Sequence, residues 1–128
     1  MITVHKAADG KLKQHVSNGR NEIYSDEPES VGGDDQGFAP HDLLDAALGS
    51  CTALTVTMVA RRKQMPLTDV RVEVSHDSAD GVYRMHRQIE LVGALSDEQK
   101  TYLLGIANKC PVHKTLSGKI EIDTALKA

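Results

Sequence analysis

The stretch Pro40-His41-Asp42-Leu43-Leu44-Asp45-Ala46-Ala47-Leu48-Gly49-Ser50-Cys51-Thr52-Ala53-Leu54-Thr55, continued to Arg61-Arg62-Lys63, decides the fold. Pro40 stands where a helix tolerates proline, with Asp42 and Asp45 near the positive end of the macrodipole and a basic cluster at the other end. Between them the apolar residues Leu43, Leu44, Leu48, Cys51, Leu54, Val56, Met58 and Val59 occupy nearly the whole circumference. That pattern predicts a helix covered on most sides. Asp45, Gly49, Ser50 and the threonines make it too polar to span lipid, so it reads as the spine of a soluble core. One small sheet covers one side of such a helix, and a partner subunit related by two-fold symmetry is expected over the other.

Outward from this helix, Ile2 to Tyr24 alternates in short apolar runs separated by Asp9-Gly10 and Asn18-Gly19, which predicts two or three antiparallel strands joined by tight turns. Asp26 to Phe38, with Pro28, glycines and acidic residues, is a loop, and Gly32-Gly33-Asp34-Asp35 in it is too acidic to cradle a phosphate. After Pro66, Val70, Val72 and Val74 alternate with polar residues in a half-buried strand. Asp80-Gly81 turns the chain into a second strand, whose odd face carries Met85, Ile89 and Leu91. Arg87 breaks that register and suggests a strand end or bulge. A second helix starts at Ser96, whose spacing to Gln99 matches a capping box, and Pro111 stops it. Cys110 falls on its inward face, in register with Leu103, Ile106 and Ala107. A final strand is expected over Lys119 to Asp123. The order indicates a single α+β domain over residues 1–128: an antiparallel sheet, a long buried central helix and a second, shorter helix.

The 128 residues carry a formal net charge of −3, with 15 basic and 18 acidic side chains interspersed, which leaves no footprint for nucleic acid or anionic lipid. Phe38 and three tyrosines are too few for base-stacking platforms. The amino terminus has no basic-then-apolar leader pattern, so the expected location is cytoplasmic. There the two cysteines, Cys51 and Cys110, stay reduced or pair transiently. On spacing alone they read as two buried structural residues, since free cysteine is among the most buried residue types. The alternative is a dithiol site. A reactive Cys51 then needs positive charge, for which Arg20 and Arg87 are candidates, and an orienting carboxylate, for which Asp42 and Asp45 are candidates. The pair Cys110 and His113 alone does not make a metal site, so no metal and no cofactor are expected. His113 caps the second helix or lines the cysteine pocket.

The contexts of both cysteines favour the dithiol. Pro40 to Thr55 with Val59 to Lys63 and Pro66-Leu67, together with Cys110-Pro111-Val112-His113-Lys114-Thr115-Leu116, resembles the OsmC/Ohr family. The resemblance implies an α+β fold, an intertwined homodimer with its sites at the subunit interface, and thiol-dependent reduction of organic hydroperoxides. Carried over, Cys51 matches the peroxide-attacking cysteine and Cys110 the resolving one. Arg20, in Asn18-Gly19-Arg20, is similar to the arginine that holds the thiolate. The family's Pro-Glu pair is replaced here by Pro40-His41, with Asp42 one residue later. The resemblance also implies a small dithiol or lipoyl reductant, and the apolar surroundings favour organic hydroperoxides over hydrogen peroxide. The competing reading is a family member that binds a small apolar or acyl ligand with little peroxidase activity.

Overall fold

A computed structural model describes residues 1–127, in two compact units, one of residues 1–44 and one beginning at Asp45. In the first, β1 (Thr3–Lys6), β2 (Gln14–Ser17) and β3 (Glu22–Ser25) form an antiparallel sheet in chain order. Its two turns pass through Gly10 and Gly19 at φ 81° and 94°, the left-handed region that glycine enters without penalty. The loop beyond β3 contains one 3-10 turn, Glu29–Val31, and returns to the sheet where Phe38 bridges Ser25.

This loop is organised by a buried carboxylate. Asp26, 4% exposed, accepts from the backbone N–H groups of Glu27 (2.8 Å), Gln36 (3.1 Å) and Asp34 (3.3 Å). Burial works to raise its pKa, but these donors and the charge of Lys13 outweigh burial and hold it below the ordinary carboxylate value. Lys13, 7% exposed, donates to Asp9 (2.8 Å) and Gln36 (3.1 Å). Gly33 passes so close to the Glu27 carbonyl that an added Cβ would lie 1.9 Å from its oxygen.

Helix α1 (Pro40–Arg62) opens on Pro40 and ends through Gln64, which turns left-handed at φ 54°. Its buried residues, Asp45, Leu48, Thr52, Val56, Val59 and Ala60, recur at helical spacing along one stripe. In this chain alone the remaining circumference stays open: Leu54 is 63% and Met58 65% exposed. By length and composition α1 is also long and apolar enough to cross a membrane, so the sequence argument that it is too polar does not hold. Its reading as a core helix rests on packing. Val56, Val59 and Ala60 meet Leu103 and Ala107, with Val70, Ile89 and Leu91 against them.

Strands β4 (Leu67–Ala79) and β5 (Val82–Gly93) form a separate two-stranded antiparallel sheet, turned by Asp80 and Gly81 at φ 55° and 74°. The only register shift lies between Leu67 and Asp69. Arg87 therefore marks neither a strand end nor a bulge: it pairs opposite Val74 in an unbroken ladder. Helix α2 (Asp97–Ala107) carries the expected capping box, with Gln99 N–H donating to Ser96 Oγ (3.1 Å) and Ser96 N–H to Gln99 Oε1 (2.9 Å).

Two further expectations are corrected. Pro111 does not stop the second helix, which ends at Ala107; it opens a third, α3 (Pro111–Ser117), with Cys110 as its N-cap. Proline fits the first position of a helix because that N–H has no intrahelical partner. The expected strand over Lys119–Asp123 is absent among the described residues. Ile120 and Ile122 alternate as a strand would, yet both are exposed, and an extended segment becomes a strand only beside a neighbour.

Candidate active site

The second unit gathers the chemistry-bearing side chains around the middle of α1. Cys51 is half-buried, and its Sγ lies 3.9 Å from Thr55 Oγ1 one turn on. The next residue, Thr52, is fully buried; its hydroxyl donates to the Leu48 carbonyl (2.7 Å) and lies 3.9 Å from Cys110 Sγ. Cys110 is 0% exposed and sits where α3 begins. The His113 N–H donates to its sulfur at 3.3 Å, the bond that an N-cap residue supplies to an unpaired amide of the first turn.

Burial pushes the Cys110 thiol up. The bonds from the His113 amide, Cys51 and Thr52, with the positive charge of Arg87, more than offset that push and leave it below the ordinary thiol value. Both cysteines are free, and Cys51 is close enough to Cys110 to help lower its pKa. The two thiols expected to cooperate are thus brought together.

Arg87 enters from β5. Its Nη1 donates to Thr52 Oγ1 (2.9 Å) and to the Ala107 carbonyl (3.3 Å); its Nη2 donates to Asn108 Oδ1 (2.9 Å) and His113 Nδ1 (3.0 Å). All four acceptors are neutral. Because guanidinium only donates, His113 Nδ1 accepts, which places the proton of a neutral imidazole on Nε2. Beside this cluster an open cleft of about 450 Å3 is lined by Leu48, Tyr83, Met85, Arg87, His113 and Leu116.

A second polar group lies on the same helix. Asp45, buried, accepts from Tyr83 Oη (2.9 Å) and pairs with His76 Nδ1 (2.5 Å), while the His76 and Tyr83 rings stack at 5.0 Å. This candidate carboxylate is engaged with the β4–β5 hairpin. Arg20 and Asp42 are exposed residues of the first unit: the Arg20 N–H is fixed by Asn18 Oδ1 (2.9 Å) in the β2–β3 turn, and Asp42 occupies the first turn of α1. The cluster described here is built from the second unit alone.

Sequence reasoning missed Thr52, the capping role of Cys110 and the Asp45–His76–Tyr83 group. Signals for the first two were present. A threonine follows Cys51 on an otherwise apolar helix, and Cys-Pro is a cap followed by a first helical residue. Arg87 was a candidate for Cys51; its bonds direct it to the Cys110 side.

The family model described as OsmC-like protein matches residues 33–125. The chain belongs to the OsmC-like family. The fold and the two cysteine contexts agree with that membership. Solved OsmC-like relatives bear it out. A candidate osmotic stress induced and detoxification response protein from Psychrobacter arcticus is 27% identical, with 89% of this chain and 85% of that one covered and a TM-score of 0.75. An organic hydroperoxide resistance protein OsmC from Legionella pneumophila is 20% identical, covering 92% and 88%, with a TM-score of 0.64. The organic hydroperoxide resistance protein OhrB of Bacillus subtilis is 19% identical, covering 92% and 90%, with a TM-score of 0.57. The last two share the OsmC-like fold with this chain. No curated protein matches it.

Proposed function

We propose that this OsmC-like protein reduces organic hydroperoxides through a dithiol cycle. The observation that carries the reading is the meeting of Cys51 and Cys110, with Cys110 poised below the ordinary thiol pKa. Cys51 thiolate attacks the outer oxygen of the hydroperoxide and breaks the O–O bond. The alkoxide leaves and takes a proton to become the alcohol, and Cys51 becomes a sulfenic acid. Cys110 thiolate then attacks the Cys51 sulfur; hydroxide leaves with a proton as water, and a disulfide remains. A small dithiol of the lipoyl type returns two electrons and two protons by thiol–disulfide exchange. The resemblance points to Arg20 as the arginine that holds the Cys51 thiolate; Asp42, one residue past the place of the family's glutamate, is the carboxylate we propose to orient it.

The protein works as a homodimer in the cytoplasm. Exposed Leu44, Leu54 and Met58 on α1, with Ile120 and Ile122, supply apolar surface for a second copy. Sedimentation equilibrium at micromolar concentration is expected to give twice the chain mass.

Stopped-flow consumption of cumene hydroperoxide with thiol counting tests the chemistry. The wild type should lose two thiols per turnover without reductant, and Cys51→Ser should lose activity. A wild type that keeps its thiols sinks the reading, as does an equally active mutant. Arg20→Met and Asp42→Asn should slow sulfenic acid formation while sparing the disulfide step.

The cleft beside Arg87 favours one alternative, the binding of a small acyl ligand with the cysteines only packing. Slow alkylation of both thiols, with saturable binding of a short-chain fatty acid, would select it.

A further inference from the structure

Arg87 is a half-buried cation whose hydrogen bonds all go to neutral acceptors, and among the described residues it makes no ion pair. Holding a charge among neutral groups is costly unless an anion lies close. A group beside it that can become one is Cys110, on which the charge of Arg87 acts. The two share Thr52: Arg87 Nη1 donates to its hydroxyl at 2.9 Å, and that hydroxyl is 3.9 Å from Cys110 Sγ. They also share His113, whose ring accepts from Arg87 and whose amide donates to the sulfur.

From this geometry we propose that Arg87 is a positioning residue for the resolving thiol: it holds Thr52 and His113 around Cys110 and fixes the sulfur beside Cys51 for disulfide formation. The proposal rests on the dithiol reading and deepens it by giving each cysteine its own arginine, Arg20 for attack and Arg87 for resolution. Thr52 is the relay. Its hydroxyl proton points to the Leu48 carbonyl and, in this proposal, turns to the sulfur when Cys110 becomes a thiolate. Arg87, donating to the same oxygen, polarises the hydroxyl and strengthens its donation. The groups acting on the sulfur are Cys51 and Thr52 from α1, Arg87 from β5 and the His113 amide from α3; the Ala107 carbonyl, Asn108 and the His113 ring hold Arg87 in turn.

In this step the S–S bond forms, the S–O bond of the Cys51 sulfenic acid breaks, and hydroxide leaves with a solvent proton as water. A Cys110 thiol that ionises more readily than an ordinary one lowers the cost of deprotonating a buried thiol before this step, which shortens the life of the sulfenic acid and limits its over-oxidation.

The test titrates Cys110 by the ultraviolet absorbance of its thiolate in full-length Cys51→Ser protein, where no disulfide forms. Arg87→Met keeps an apolar stem and removes the charge; the Cys110 pKa should rise by about one unit, and thiolate at neutral pH should fall roughly tenfold. Arg87→Lys should restore part of the shift, which a purely structural role would not do. Thr52→Val, near-isosteric and lacking the hydroxyl, should raise the pKa even where Arg87→Met does not fold. In protein with both cysteines, disulfide formation driven by diamide should slow in the same order. An unchanged Cys110 pKa in folded Arg87→Met overturns the proposal; if that variant does not fold, an unchanged pKa in Thr52→Val does so. Neither readout uses a hydroperoxide, so a failure of the peroxidase reading remains distinguishable from a failure of the role given to Arg87.

Discussion

In the first unit the buried positions go to Ala7, Lys13, Ser25, Asp26 and Gly33, whereas in the second the core cluster is Val56, Val59, Ala60, Leu103 and Ala107. The first is organised by directional bonds: one carboxylate gathers three amides, and one ammonium joins Asp9 to Gln36. The second is organised by non-directional burial of aliphatic side chains from two helices and one hairpin. The difference teaches where each part yields. Aliphatic packing fails when volume is removed, while a polar hub fails when its charge or geometry changes.

The largest expected effect is in the aliphatic layer. Leu103→Ala, at a fully buried position, should cost about 2 to 5 kcal/mol in urea unfolding. A loss below that range would mean that the core collapses around the gap, and the contrast between the units would weaken. Asp26→Asn comes next. It keeps the volume and removes the charge, so its effect should be local: faster amide exchange at Asp34 and Gln36 with little change at Leu103. The same hub gives an acid dependence of known sign. Because the folded Asp26 pKa is lowered, its contribution is full above the ordinary carboxylate range of about 4 and is lost as the pH falls through the lowered value. Exchange protection of that loop should therefore fade in acid, and Asp26→Asn should abolish the dependence. The smallest effect is a polar one within the aliphatic unit: Ser96→Ala should cost about 1 kcal/mol by removing the N-cap of α2. A larger cost would show that directional bonds matter in the second unit as well.

What was legible in the sequence follows the same division. Helix α1, the β4–β5 hairpin and the α2 cap were readable because their signals are local: Pro40 with acidic residues after it, alternating valines, and Ser96 three residues before Gln99. The two cysteines were readable as a pair through their sequence contexts. Arg87 was misread as a break because its acceptors lie far along the chain, at Thr52, Ala107, Asn108 and His113, and a strand's period says nothing of what waits across the core. Helix α3 was missed because seven residues are too few for a periodic signal. The strand expected over Lys119–Asp123 was drawn from alternation alone, which records a face and no neighbour.

One atom, Cys110 Sγ, closes the first turn of α3 by accepting the His113 amide. A backbone proton tied to the sulfur of the proposed resolving cysteine is a reporter of its state. In the proposed cycle that sulfur passes from thiol to disulfide, and the amide resonance of His113 is expected to shift with it. The oxidation state of the dithiol would then be followed by nuclear magnetic resonance in the working protein, with both cysteines intact.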